Sequence, residues 1–222
     1  MKVLHVGQMI GGLGVYIRNT VTYISDEFEF VIVHGETDNS KPVMKNGKEV
    51  KEYTISLYRD LNPLKDLKGL IQVVRIIQKE KPDIIHCHSA KGGFIGRMAG
   101  FLTRTKTFYT PHAFSFLSTQ NKIKKRIYLF LERMARLDSF LLACSESEKE
   151  LGMEQVHYKE KRAYVWSNSV PDAQTVPPSG LKETSPYICY IGRPSYQKNP
   201  FFLVNVIREV HKAYPDIRFY IL

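Results

Sequence analysis

Residues 2–25 read KVLHVGQMIGGLGVYIRNTVTYIS, and the fold class follows from how this stretch changes texture. An apolar run, Val3 to Val6, gives way to Gly7, Gly11, Gly12 and Gly14. Apolar residues then recur at Val15, Ile17, Val21 and Ile24, roughly on one side of a helix. The expectation is strand, glycine turn, helix. Two readings of the glycines stand on the residues alone. A glycine pair at a helix N-terminus offers free N–H groups and the positive end of the helix dipole to an anion. A tight turn that needs positive φ requires glycine just as much. A nicotinamide site is not supported: the fingerprint needs G-x-G-x-x-G and an acid about 20 residues on. Here the glycines fall at 7, 11, 12 and 14, and the next strand ends in His34-Gly35 with Glu36 the nearest acid.

Working outward, the alternation continues. FEFVIVHG reads as a second strand, polar residues 36–49 as a loop, and EYTISLY as a third strand. PLKDLKGLIQVVRIIQKEK reads as a helix with Leu67, Leu70, Ile71, Val74 and Ile77 inward, opened by Pro63 and stopped by Pro82. DIIHCHS, KTFYTPH, SFLLACS and RAYVWSN read as strands, with helices over KGGFIGRMAGFL and IKKRIYLFLERMARL between them. Strands alternating with helices, joined by right-handed crossovers, predict an α/β fold: a Rossmann-like doubly wound parallel sheet over residues 1–168. Residues 169–186, with Pro171, Pro177, Pro178 and Pro186 and little periodicity, read as a linker. The pattern restarts over 187–222 as strand, helix, strand. A unit of that size cannot cover both its faces, so the expectation is the truncated start of a second Rossmann-like domain.

Composition narrows the class. The chain has 222 residues, 43% hydrophobic and 24% charged, and no apolar window long enough to span a bilayer. The N-terminus turns polar too soon for a signal peptide. Cys87, Cys144 and Cys189 sit in apolar runs, and an odd count of this kind predicts reduced core thiols in a cytoplasmic protein. The net charge is +10, and residues 101–136 hold eight basic residues against Glu132, so +7 of it lies in one window. Such an excess points to an anionic partner.

Four groups of residues are candidates for chemistry. His86 and His88 share one face of a strand end, and the following AKGGFIGR brings Lys91 and Gly92 to a helix start on the same edge. His112 stands after a third strand, in TPHAFSF. Ligands of open α/β sheets bind at the carboxyl ends of strands, so this edge is the expected crevice. No Cys, His, Asp or Glu elsewhere completes a zinc set at a recognisable spacing. Residues 121–137 form a basic amphipathic helix with Ile123, Ile127, Phe130, Leu131 and Met134 as its apolar stripe. It reads either as a helix covering the sheet with a solvated cationic face, or as one drawn to an anionic membrane surface. Nucleic acid ranks last, because no helix-turn-helix, zinc or single-strand signature accompanies the charge. In IGRPSYQKNP, Arg193 and Lys198 bracket a turn before a helix start, a reasonable clamp for a diphosphate.

Taken together, GGLGVY, PDIIHCHSAKGGFIGRMAG, TPHAFSF, LLACSESEKE, VWSNSVPD and IGRPSYQKNP resemble the family-4 retaining glycosyltransferases of the GT-B fold, over essentially all 222 residues. The resemblance implies an acceptor-side domain at 1–168 and the opening of a nucleotide-sugar-binding domain at 187–222. It implies that Gly11 and Gly12 offer N–H groups at the cleft, on the donor diphosphate or the acceptor side. His112 would touch the transferred sugar, and Arg193 and Lys198 would stabilise the leaving diphosphate. His88, Lys91 and Gly92 would fall on the acceptor side. The implied donor is a UDP- or GDP-sugar, with no metal expected, and the acceptor a glycan or polyprenyl-linked precursor of the cell envelope. The location implied is cytoplasmic, with peripheral contact at the inner face of the membrane through residues 121–137. Two departures stand out. Asn168-Ser169-Val170 replaces the family's Asn-Gly-Val, and the family's E-x7-E element belongs beyond residue 222. A match at Glu146 and Glu154 lies in the wrong domain. The chain as written is therefore expected to turn over slowly or not at all. The alternative is a non-catalytic acceptor half that needs a separate donor-binding chain; a GT-B epimerase is a remote third.

Overall fold

The alternation read from the sequence becomes a seven-stranded, all-parallel sheet. In chain order the elements are β1 (Lys2–Val6), α1 (Gly12–Tyr23), β2 (Glu29–Gly35), β3 (Met44–Lys45), β4 (Lys48–Glu49), β5 (Lys51–Ile55) and α2 (Pro63–Glu80). There follow β6 (Ile84–His88), α3 (Ser89–Thr103), β7 (Lys106–Thr110), α4 (Lys122–Arg136), β8 (Phe140–Ala143), α5 (Glu146–Val156) and β9 (Ala163–Val165). The computed structural model describes residues 1–35, 41–58, 62–170, 186–192 and 198–222. Contacts divide the chain into two units, Met1–Pro171 and Asp172–Leu222. Most of the expected linker, and Arg193 with it, lie outside the described residues.

Strand order in the sheet is β5-β2-β1-β6-β7-β8-β9. The order reverses at β1, so the gap between β1 and β6 is the switch point where open sheets of this kind take ligands. Successive residues of β1 feed the two faces, as a period of two requires. Leu4 and Val6 join Val31, Val33, Ile85 and Cys87 in one core, while Val3 joins Phe30, Ile32, Leu13, Ile17 and Val21 in the other. Helix α3 lies hard against the sheet. A Cβ on Gly92 would come within 2.8 Å of the Gly7 Cα, and one on Gly93 within 2.2 Å of the Tyr109 ring. Gly92 therefore has a packing reason to be glycine whatever else it does.

The helix faces differ from the sequence expectation. In α1, Val15 is exposed, and Leu13 and Gly14 join Ile17 and Val21 inside. In α2 the inward residues are Gly69, Val73, Ile76, Ile77 and Glu80, with Leu67 and Ile71 outside. The largest difference concerns α4: of its two readings, the one that packs the apolar stripe on the sheet does not hold, because Ile123 is 70% exposed, Phe130 59% and Met134 56%. What α4 buries is Glu132 and Ala135. Glu132 Oε2 pairs with Arg97 of α3 at 2.8 Å, and its Oε1 accepts hydrogen bonds from Tyr109 (3.0 Å) and Ser115 (3.2 Å). The Arg97 guanidinium also donates to the Gly93 carbonyl and stacks 3.8 Å above the Tyr109 ring. Glu132 lies nine residues from Ile123, about 180° around the helix, so pairing it with Arg97 turns the apolar stripe outward. Two smaller corrections concern the loop and the thiols. The segment expected as a loop over 36–49 contains the β3/β4 hairpin. Of the cysteines expected in the core, Cys87 is buried, Cys144 half-buried and Cys189 exposed.

The second unit holds β10 (Tyr187–Tyr190), α6 (Pro200–Ala213) and β11 (Arg218–Ile221), with β10 and β11 paired in parallel. Asn199 caps α6 by accepting from the Phe202 N–H at 3.2 Å, and Pro200 occupies the first turn, where no donor is lost. None of α6 is buried, and Phe201 and Phe202 are exposed.

Candidate functional site

The carboxyl edge of the sheet at the switch point carries four histidines. His86 and His88 lie on one face of β6, as their spacing requires, with ring centroids 4.1 Å apart. His5 of β1, paired in register with His86, joins them from the neighbouring strand. His112 follows β7 and reaches back to the same group. His5 Nδ1 lies 2.9 Å from His88 Nε2, His88 Nδ1 lies 3.3 Å from His112 Nε2, and His112 Nδ1 lies 3.6 Å from the Cys144 sulfur. His86 Nε2 meets the Thr110 hydroxyl at 2.8 Å. Tyr16 of α1 packs edge-on against His112, centroids 4.7 Å apart, and closes the group from above.

These imidazoles are neutral. Burial pushes His5 and His112 down to about 4, and burial with neighbouring histidines holds His86 and His88 well below their ordinary value. Burial, with the Glu148 carboxylate nearby, pushes the Cys144 thiol up to about 12. Neutral imidazoles offer lone pairs, and the ligand atoms of His5, His86 and His88 all lie within 4.8 Å of one another, so these three could hold a metal ion. The sequence did not assemble that set, because His5 lies 83 residues from His88.

Backbone strain marks the same edge. Ser89, His112 and Ala113 have positive φ (58°, 52° and 76°) without being glycine, a conformation that persists only where the surroundings hold it. Glu148, near the start of α5, does part of that holding: its carboxylate accepts the Ala113 N–H at 2.8 Å and the Cys144 N–H at 2.7 Å.

The other expected residues are placed as follows. Gly11 is the N-cap of α1 with φ 60°, Gly12 begins the helix, and both are exposed with nothing within 4 Å of where a Cβ would sit. The turn thus does need positive φ, and the helix N-terminus is also open to a ligand, so the two readings coexist. Lys91 is held by a two-pronged contact to Asp66 of α2 at 2.7 and 2.8 Å. Lys198, in the second unit, is exposed and immediately precedes the cap of α6. Three residues of this group were not read as part of a site in the sequence: His5, Glu148 and Cys144, the last taken only for a core thiol. A surface cleft of about 840 Å³, lined among others by Arg104, Lys106 and Phe140, lies at the opposite, amino-terminal edge of the sheet, away from the histidines.

A doubly wound sheet with polar side chains gathered at its switch point is the arrangement of proteins that bind nucleotides or sugars at a crevice. Residues 10–174 match the model of Glycosyltransferase Family 4, and the chain belongs to that family. The chain is 31% identical over 182 residues to the Escherichia coli UDP-Gal:alpha-D-GlcNAc-diphosphoundecaprenol alpha-1,3-galactosyltransferase, covering 75% of this chain and 47% of that one. It is 33% identical over 115 residues to the Staphylococcus aureus capsular polysaccharide biosynthesis glycosyltransferase CapM, covering 48% and 30%. The chain thus spans between 30% and 60% of the length of the curated relatives it matches. Among solved structures, sucrose-phosphate synthase from Thermosynechococcus elongatus superposes with TM-score 0.69 at 14% identity, covering 99% of this chain and 61% of that one. A glycosyltransferase from Rickettsia africae gives 0.63 at 15%, covering 99% and 67%. UDP-GlcNAc 2-epimerase from Neisseria meningitidis bound to UDP-GlcNAc gives 0.60 at 15%, covering 100% and 65%. The fold is therefore one that transferases and epimerases share, and family membership separates them.

Proposed function

We propose that these residues form the acceptor-side domain, and the opening of the donor-side domain, of a glycosyltransferase. It would move a hexose, with retention, from a UDP- or GDP-sugar to a polyprenyl-linked glycan of the cell envelope. The observation that supports this reading is the carboxyl edge of the sheet at the β1/β6 switch point, which carries the exposed start of α1 and, packed against Tyr16 of that helix, the neutral His112. In the transition state the bond from the anomeric carbon to the diphosphate breaks, and its electron pair leaves with phosphate. Negative charge grows there while positive charge grows on the sugar. Within the second unit, the Lys198 ammonium and the open N-terminus of α6 would bind the first better in the transition state than in the ground state. A neutral imidazole beside the sugar avoids opposing the second. With cations and N–H groups supplying the charge, the reading calls for no metal at the diphosphate.

The test uses the product of the full reading frame that carries these residues. Labelled UDP- and GDP-sugars are offered with a polyprenyl-diphosphate-linked acceptor, and the anomeric configuration of the product is read by NMR. Transfer with retention is the expected result. An inverted product would remove the retaining mechanism, and epimerised nucleotide sugar without transfer would replace the reading altogether.

The lipid-linked acceptor rests on α4. No helix among the described residues is long and apolar enough to cross a membrane. Yet α4 exposes Ile123, Ile127, Phe130 and Met134 in one stripe, flanked by exposed Lys122, Lys124, Arg126 and Arg133. An apolar stripe between cations suits a surface of anionic headgroups, where each cation contributes about 1 kcal/mol. The chain should therefore sediment with anionic vesicles and not with neutral ones. The triple variant Lys124→Glu, Lys125→Glu, Arg126→Glu should bind on the order of 100-fold less tightly. Equal sedimentation with both kinds of vesicle would remove the membrane from the reading.

A further inference from the structure

The cleft at the amino-terminal edge of the sheet lies outside the site described above. It forms where two helices end and two strands begin: α3 ends at Thr103 and α4 at Arg136, while β7 starts at Lys106 and β8 at Phe140. Its volume of about 840 Å³ is that of pockets that hold a small molecule. Phe101, Leu102, Leu137 and Phe140 give it apolar walls, and Arg104 and Lys106, both exposed, give it cations.

The charge here is one-sided. The Lys106 ammonium stands 5.4 Å from the ring centroids of both Phe108 and Phe140. The carboxylate that lines the cleft, Asp138, is already paired with Arg162 at 2.6 Å, and that guanidinium lies 5.1 Å from the Phe140 centroid. Helix carboxyl ends ordinarily repel anions. At these two the carbonyls are taken up: Gly100 and Phe101 accept from the Thr105 and Arg104 N–H groups, and Arg136 accepts from Ser139. What remains suits a molecule that is anionic at one end and apolar at the other. Arginine offers a fork to phosphate oxygens, and lysine a point charge.

The apolar stripe of α4 leads into this cleft. Ile123, Ile127, Phe130 and Met134 follow helical spacing, and Leu137, which continues it, both ends the helix and forms a wall of the cleft. A soluble phosphate ester would use the cations and leave the stripe bare. We infer that the cleft binds one anionic phospholipid, its phosphate held by Arg104 and Lys106 and an acyl chain lying over Leu137 towards Met134 and Phe130. This contact differs from the diffuse attraction of cations along α4. The helix begins at the carboxyl edge, after β7, and ends at the cleft, so a headgroup held there fixes its far end on the surface. The choice of a lipid rests on the membrane reading of α4 proposed above; the charge and shape of the cleft do not.

A lipid short enough to stay monomeric separates the cleft from the membrane. Dihexanoylphosphatidylglycerol, titrated calorimetrically into the full-length protein below its micelle concentration, should bind saturably, one molecule per chain. Dihexanoylphosphatidylcholine, which has no net charge, and inorganic phosphate, which has no apolar body, should each bind at least about tenfold less tightly. Arg104→Asn with Lys106→Gln should weaken binding of the phosphatidylglycerol by about tenfold or more. Asparagine is chosen because Arg104 has φ 56°, a conformation asparagine tolerates. Phe101→Ser, at an exposed side chain, should weaken the lipid and leave phosphate unchanged, and both variants should keep the parent's melting temperature. No saturable binding, phosphate bound as tightly as the lipid, or variants that bind like the parent would each overturn the site. The triple variant Lys124→Glu, Lys125→Glu, Arg126→Glu should lose anionic vesicles yet still bind the short-chain lipid. Short-chain lipid bound by a parent protein that ignores anionic vesicles would leave the cleft standing and remove the membrane reading. Vesicle binding with no lipid in the cleft would do the reverse.

Discussion

Glu132→Ala should lower the stability of the first unit by about 3–5 kcal/mol, the largest loss expected from any single truncation here. Glu132 is 3% exposed and Arg97 2%, so removing the carboxylate leaves a guanidinium out of water without its counter-charge. Tyr109 and Ser115 lose their acceptor in the same step. Arg97 cannot escape by neutralising, because its other contacts, to the Gly93 carbonyl and the Tyr158 hydroxyl, also favour the charged form. The measurement is urea unfolding followed by the fluorescence of the single Trp166, which belongs to the first unit. A double variant, Arg97→Met with Glu132→Leu, should recover much of the loss, since the desolvation of both charges disappears with the pair. A loss below about 1 kcal/mol for the single variant would mean that water reaches the pair. Because this pair sets the rotation of α4, the folded fraction of Glu132→Ala should also bind anionic vesicles less well.

The same pair shows where sequence reading met its limit. The doubly wound parallel class and the identity of most elements were legible because glycine turns, apolar runs and helical spacing are local signals. The inward face of α4 was not. The sequence left the stripe Ile123 to Met134 open between the sheet and a membrane surface, and packing on the sheet is the sound expectation only when burial of apolar area decides. Here a partner charge on α3, 35 residues away, decides instead. In α2 the inward face carries Gly69 and Glu80, the second paired to Lys51 at 2.7 Å, so small size and long-range pairing again outrank hydropathy. The histidine group followed a similar course. His86, His88 and His112 stood out because they end strands on one edge, a property of the local pattern. His5 did not, because its partner is set by the pairing of β1 with β6. Glu148 drew no reading from the sequence, because only the fold of the loop after β7 brings Ala113 to it.

Lys198→Ala, in the full-length enzyme, should reduce kcat for sugar transfer roughly 10²–10³-fold. Lys198 is the last residue before the cap of α6, so its backbone lies at the positive end of a 14-residue helix. Asn199 takes the N–H groups of Phe202 and Leu203, Pro200 has none, and the Phe201 N–H remains for an anion. On the function proposed above, the two sources of positive charge would act on one group, the diphosphate, whose charge is larger in the transition state than in the bound donor. Removing the ammonium should therefore fall mainly on kcat, with a smaller change in the KM for nucleotide sugar. Lys198→Arg should keep part of the activity, because the charge remains while the reach and geometry change. Lys212→Ala is the control: that cation sits in the last turn of the same helix, paired with Glu209 at 2.8 Å, and its loss should leave transfer unchanged. If Lys198→Ala transferred sugar within about fivefold of the parent, the ammonium could not be binding the leaving group. The charge stabilisation would then have to come from the helix N-terminus itself, and blocking the Phe201 N–H would become the decisive experiment.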